Sequence, residues 1–239
     1  MPEPDLVAQK RAAARAAVAY VEMGMVVGLG SGSTAEIAFA LLAERIAEGL
    51  NITGVPSSNR TAKIAASLGI PLLEHPGEAT HADLYIDGAD EATENLCLIK
   101  GGGGALTREK IIASISETVI IIADSSKLKD KLGAFPLAVE VLPYGWRAAA
   151  DAISELGAAQ VVQRSADKNG APYITDNGNY ILDCHFGVID EPAGLSRELN
   201  SIPAVVENGI FEAHCDLLLI GRADGGVDEY IDHLGRVSK

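Results

Sequence analysis

Several short apolar runs in the first half of the chain end in glycine or aspartate, and segments of helical composition alternate with them. That alternation restricts the fold more than any other feature. Residues 25–29 (MVVGL) run into Gly30, and a helix is expected over 35–48 with Ser33 or Thr34 as its cap. Residues 51–55 precede a helical segment over 59–68. Residues 84–86 leave into the turn Asp87-Gly88-Ala89-Asp90. Residues 96–99 meet Lys100 and four glycines, and a helix is expected over 106–116. Residues 119–123 (VIIIA) are β-branched almost throughout and read as a central strand. Strands alternating with helices build a mainly parallel sheet covered on both faces, with right-handed crossovers. An alanine-rich helix over 5–23 precedes the first strand, with Lys10, Arg11 and Arg15 assigned to its solvated side.

The pattern changes after Lys131. Residues 138–141 read as a strand, 145–156 as a helix and 160–163 as a strand. Residues 173–175 and 180–183 flank an Asn177-Gly178 turn, a hairpin signal. A helix over 192–200 and a strand over 204–211 complete the series. The order β-α-β-β-α-β is that of a ferredoxin-like unit. Residues 216–220 are again apolar and are expected to return to the first sheet. The expected fold is therefore α/β: a Rossmann-like, mainly parallel sheet over 1–131 and 207–239, with an inserted ferredoxin-like α+β domain over 132–206.

Charge narrows the ligand class. With 19 basic and 33 acidic residues, the 239-residue chain carries −14. Long-range attraction to nucleic acid or an anionic membrane is not expected. A phosphate would have to be held locally, by backbone amides and a few placed cations. No apolar run approaches the ~18 residues of a membrane span, and residues 1–10 lack the apolar core of a signal peptide, so a cytoplasmic protein is expected. Cys97, Cys184 and Cys215 are odd in number and far apart, which suits free thiols rather than disulfides or a zinc site. The five histidines show no ligand spacing, and no metal is expected. Trp146 and the tyrosines read as packing residues.

Three motifs carry candidate chemistry. Gly28-Leu29-Gly30-Ser31-Gly32-Ser33-Thr34 follows a strand and opens a helix, which suits an anion held by amides and by the hydroxyls of Ser31, Ser33 and Thr34. It also fits a loose dinucleotide fingerprint, but no carboxylate ends the second strand, at Val55-Pro56-Ser57-Ser58, as that reading requires. In Asp87-Gly88-Ala89-Asp90-Glu91, three carboxylates crowd a strand end, where ligands bind in open α/β sheets. In Lys100-Gly101-Gly102-Gly103-Gly104-Ala105-Leu106-Thr107-Arg108-Glu109-Lys110, consecutive glycines suit a loop of backbone donors around oxygens, with a cation before it and a carboxylate early in the following helix. By spacing alone, Arg108-Glu109-Lys110 is equally a solvated helix face. Lys127, just past the central strand, falls on the same rim.

Together these residues closely resemble ribose-5-phosphate isomerase, type A. Ala-Asp-Ser-Ser-Lys at 123–127 and Thr-Asp-Asn-Gly-Asn at 175–179 add to the resemblance, which spans about the whole chain. Ser31 stands where threonine is familiar in the family, and both offer a hydroxyl. The resemblance implies interconversion of D-ribose 5-phosphate and D-ribulose 5-phosphate through an enediolate, without cofactor, in a homodimer or homotetramer. It places substrate contacts on Ser31, Gly32, Ser33, Thr34, Asp87, Gly88, Ala89, Asp90, Lys100, Gly101, Gly102, Gly103 and Lys127. Its catalytic glutamate falls on Glu109, with Lys100 stabilising developing charge. Ring opening is assigned first to Asp87, with Asp90 orienting hydroxyls. Competing classes are a non-catalytic sugar-phosphate sensor, and a lactonase or deaminase on a similar sheet.

Overall fold

The computed structural model describes residues 5–231. The end of the expected 207–239 segment, with His233, lies outside the described residues. Helix α1 (Leu6–Val18) opens on Asp5, whose carboxylate accepts from the amides of Val7 and Ala8, a standard way to satisfy first-turn donors. It ends at Val18 instead of running to Met23. The Arg45 guanidinium donates to the carbonyls of Val18 and Val21, at 2.5 and 2.9 Å, and holds that stretch as an open turn.

Strand β1 (Val26–Leu29), α2 (Ser33–Ala47), β2 (Thr53–Pro56), α3 (Asn59–Ser67) and β3 (Ala82–Gly88) follow. Two short strands come next, β4 (Glu91–Ala92) and β5 (Leu98–Ile99), then α4 (Leu106–Ser114) and β6 (Ser116–Asp124). The α2 cap is Gly32, so Ser33 and Thr34 sit inside the first turn rather than capping it.

With β12 (Leu217–Gly221) and β13 (Val227–Ile231), these strands form the main sheet in the order β13-β12-β6-β3-β1-β2. The pairs from β12 to β2 are parallel, and β6 is an interior strand. Residues 217–221 thus return to the first sheet, beside β6. Strand β13 has no counterpart among the expected elements. That strand pairs antiparallel at the edge, and its Val-Asp-Glu-Tyr-Ile, half-buried or exposed throughout, carries charges as edge strands do. One face of the sheet presents Val27, Leu29, Ile86, Ile120 and Ile122 to α1 and α2. The other presents Tyr85, Val119, Ile121 and Leu218 to Ile112 and Ala113 of α4.

A second, antiparallel sheet has the order β10-β7-β9-β8, from β7 (Leu137–Val141), β8 (Gln160–Gln163), β9 (Tyr180–His185) and β10 (Val205–Asn208). Helices α5 (Trp146–Glu155) and α6 (Pro192–Asn200) add Ala149, Ile153 and Leu199 to its core. The chain order is β-α-β-β-α-β, as the sequence pattern implies. The expected hairpin does not form, however. Residues 173–175 make no strand, and β9 pairs with β8 and β7 instead.

The expected strand over 204–211 divides at Gly209. Beyond it, β11 (Ile210–Phe211) joins β5 and β4 in a third sheet. A Cβ on Gly209 would lie 2.3 Å from the Lys100 carbonyl, so only glycine admits this crossing. Lys100 N–H donates to Gly209 O at 2.9 Å and ties the glycine loop to the crossing point.

Candidate active site

Parallel strands deliver their following loops to one edge. Here that edge gathers Ser31, Gly32, Ser33 and Thr34 after β1, Gly88, Ala89 and Asp90 after β3, and Lys127 after β6. The loop Lys100, Gly101, Gly102 and Gly103 and the α4 residue Glu109 complete the wall. All of them, with Lys10, line one pocket of about 130 Å³.

Asp87 lies beneath that wall and is fully buried. Its Oδ1 accepts from the amides of Ser31 and Gly88, at 2.9 and 2.7 Å. Its Oδ2 accepts from Tyr85 Oη at 2.5 Å and Lys100 Nζ at 2.7 Å. Both oxygens are therefore occupied. Gly30 is required here, because a Cβ would fall 2.1 Å from this carboxylate. Burial, followed by the charges of Asp87 and Glu109, drives the Tyr85 phenol well above its ordinary pKa and keeps it a donor.

Lys100 is 3% exposed. Its ammonium also donates to Gly88 O at 2.6 Å and stands 3.2 Å from Glu109 Oε2, an ion-pair contact. Burial alone would pull this lysine down. Asp87 and then Glu109 outweigh burial and hold its pKa above the ordinary value.

Glu109 is 4% exposed, on the face of α4 that also buries Leu106, Ile112 and Ala113. It is no member of a solvated triplet. Lys110 turns to the opposite side, pairs with Glu207 at 2.8 Å and lies 4.8 Å from the Phe211 ring centre. Arg108 reaches Asn177 Oδ1 and Asp176 O, each at 2.8 Å. Glu109 Oε2 has no hydrogen-bond partner among the described residues, since the angles of the Lys100 contact fall short of one. Burial and then Asp87 push the Glu109 carboxyl well above the usual glutamate range, and Lys100 offsets this only in part. A carboxyl so placed takes up and releases a proton near neutral pH, which suits a general base.

At the other end of the pocket, Ser31 Oγ meets the hydroxyls of Ser57, Ser58 and Thr61 at 2.9, 3.3 and 3.2 Å. Lys10 Nζ donates to Ser33 Oγ at 3.2 Å and lies 3.8 Å from Asp124. The first turn of α2, lining the same pocket as Lys10 and Lys127, has the donors and charge that suit a small dianion.

The family model for ribose 5-phosphate isomerase A (phosphoriboisomerase A) matches residues 53–225. The chain belongs to this family. It is 50% identical over 224 residues to the ribose-5-phosphate isomerase A of Parvibaculum lavamentivorans, covering 92% of this chain and 96% of that one. It is also 50% identical to that of Gloeobacter violaceus, over 94% of this chain and 96% of that one. Among solved structures, a D-ribose-5-phosphate isomerase in complex with phospho-erythronic acid superposes with a TM-score of 0.90 at 39% identity, covering 95% and 99% of the two chains. The Methanocaldococcus jannaschii ribose 5-phosphate isomerase A gives 0.87 at 42%, covering 93% and 98%. A Rossmann-like sheet with an α+β companion is thus the architecture of the family as well as of this chain.

Two residues at this pocket carry no signal in the motifs above. Lys10, expected on a solvated face, lines the pocket because Gln9 beside it accepts from Ser125 N–H and pins α1 to the strand-end rim. Tyr85 packs, as expected of a tyrosine, but also holds Asp87. Their spacing, two apart on one strand, puts both on the same sheet face, and that was the available signal.

Proposed function

We propose that the protein interconverts D-ribose 5-phosphate and D-ribulose 5-phosphate, with Glu109 as the proton-transferring base and no metal in the reaction. The observation that carries this reading is the buried Glu109 carboxyl, 3.2 Å from the Lys100 ammonium, in the same pocket as the first turn of α2. The phosphate sits on Ser31, Gly32, Ser33 and Thr34, with Lys10 and Lys127 supplying charge. Anchoring it fixes the carbon chain against Glu109 and contributes positioning.

In the open-chain aldose, Glu109 removes the proton on C2 and returns it to C1, through a cis-enediolate. Negative charge then develops on the two substrate oxygens. The Lys100 ammonium and the amides lining the glycine loop stabilise it without needing to reorganise. For ring opening the geometry favours Asp90, on the pocket wall, over the first expectation, Asp87. Asp87, with four donors on it, serves better to hold Lys100 and the Ser31 loop.

Three further readings belong with this one. The chain divides into 1–131 with 207–239, and an insert over 132–206, a division supported by the separate four-stranded sheet. The protein works in the cytoplasm, in keeping with the absence, among the described residues, of a helix long and apolar enough to cross a membrane. It assembles as a homodimer or homotetramer. The activity is tested by incubating the full-length protein with ribose 5-phosphate in the presence of chelator and measuring ribulose 5-phosphate. Formation by the wild type and none by Glu109→Gln is expected. No product from the wild type would overturn the reading.

A further inference from the structure

The glycine loop is gripped from behind. Arg164, just past β8, is held by Asp183 of β9 through two parallel bonds, Nε to Oδ2 at 3.0 Å and Nη2 to Oδ1 at 2.5 Å. Such a bidentate pair fixes the plane of the guanidinium. Its remaining arm, Nη1, donates to Gly101 O at 2.9 Å and Gly102 O at 3.2 Å. The Tyr173 ring centre lies 5.9 Å from the same guanidinium, and Tyr173 Oη donates to Gly103 O at 3.2 Å. One cluster on the second sheet therefore holds three successive carbonyls of a loop that lines the pocket.

In a trans peptide the C=O and N–H point in opposite directions. Holding Gly101 O and Gly102 O from behind turns the amides of Gly102 and Gly103 forward. The Gly102 amide donates to Asp90 Oδ2 at 2.7 Å and so orients a pocket carboxylate. Gly103 lines the pocket as well, and among the described residues no hydrogen bond takes up its amide. A cation on the carbonyl oxygens also polarises these peptides and strengthens their N–H groups as donors. Four glycines have no side chains to set their own course, so an external clamp is the means of fixing them.

We infer that Arg164 is a positioning residue for the isomerisation: it aims and polarises the Gly102 amide that holds Asp90 and the Gly103 amide that faces the enediolate oxygens. This rests on the isomerase reading above, and the wild-type assay tests that reading separately. The experiment compares wild type, Arg164→Met, Arg164→Lys and Asp183→Asn at full length. It measures kcat, KM, melting temperature and the inhibition constant of phospho-erythronic acid, whose carboxylate resembles the enediolate.

For Arg164→Met, kcat should fall about 10- to 100-fold, less than the ~10²–10³ for losing an oxyanion donor itself, with KM changed little. Phospho-erythronic acid should weaken in parallel with kcat. Arg164→Lys, which keeps the charge but not the fork, should recover part of the loss, and Asp183→Asn should show a smaller loss of the same kind. A folded Arg164→Met protein with wild-type kcat overturns the inference. So does a loss confined to KM, or a kcat loss with inhibitor binding unchanged. If Arg164→Met does not fold, Arg164→Lys and Asp183→Asn decide by the same criteria.

Discussion

Glu109 and Glu140 are both buried glutamates, 4% and 0% exposed, and their surroundings differ in kind. Glu140, on β7, accepts four hydrogen bonds: from Thr107 Oγ1 at 2.5 Å, Thr175 Oγ1 at 2.8 Å, Asn179 Nδ2 at 2.8 Å and Asn177 Nδ2 at 3.2 Å. Among the described residues, Glu140 forms no ion pair with a lysine or arginine. Glu109 has a cation at 3.2 Å, a carboxylate beyond that, and an oxygen without a hydrogen-bond donor. A buried charge with a full set of donors is structural, whereas one left short of donors holds a proton and can exchange it. Glu140 also grips Thr107, two residues before Glu109 in the first turn of α4. The satisfied glutamate thus holds the first turn of the helix that carries Glu109.

Substitution should separate the two. Glu109→Gln should lower kcat by about 10³-fold or more, within the range for removing a general base. It should not lower the melting temperature at pH 7–8. A carboxyl with a raised folded pKa contributes most to stability below its unfolded value of about 4.3, and that contribution is lost as pH rises through the folded value. Glutamine carries no such penalty. A strongly destabilised Glu109→Gln protein would show that the two carboxylates are alike.

Next in size, Lys100→Met should reduce kcat about 10²-fold, as for loss of an oxyanion donor. It should also move the acid limb of the kcat/KM profile to higher pH, because the cation that restrains the Glu109 pKa is gone. In the wild type that limb should already lie well above the ordinary carboxylate range.

Glu140→Gln should show the opposite balance, with stability down by about 1–3 kcal/mol from mismatched buried donors and kcat down less than for either variant above. Denaturant unfolding measures the first quantity. Lys127→Met should do least, raising KM severalfold with kcat nearly unchanged, in line with one half-buried phosphate contact at the pocket rim. A kcat loss there would place Lys127 nearer the reacting carbons.

The parallel sheet was legible in the sequence because its interior strands are short apolar runs ending where a loop must turn. Residues 119–123 and 217–220 announce themselves this way. The edge strand β13 was not legible, since a half-buried edge strand carries no continuous apolar run. The hairpin expected at Asn177-Gly178 misled for a different reason. That turn serves Glu140, Arg108 and Asn59, and its flanks pair elsewhere. The site's glycines and carboxylates could be found by motif, but the burial of Glu109 could not. Arg108-Glu109-Lys110 faces three different partners, a tertiary outcome that local spacing does not encode.

Solvent isotope incorporation tests the central claim most directly. In D₂O, ribulose 5-phosphate formed from protiated ribose 5-phosphate by the wild type should carry deuterium at C1, delivered by Glu109 after exchange at the enediolate stage. Glu109→Gln should give neither product nor exchange of the substrate C2 proton. Continued C2 exchange by the folded Glu109→Gln protein would contradict the account and place the base elsewhere in the pocket.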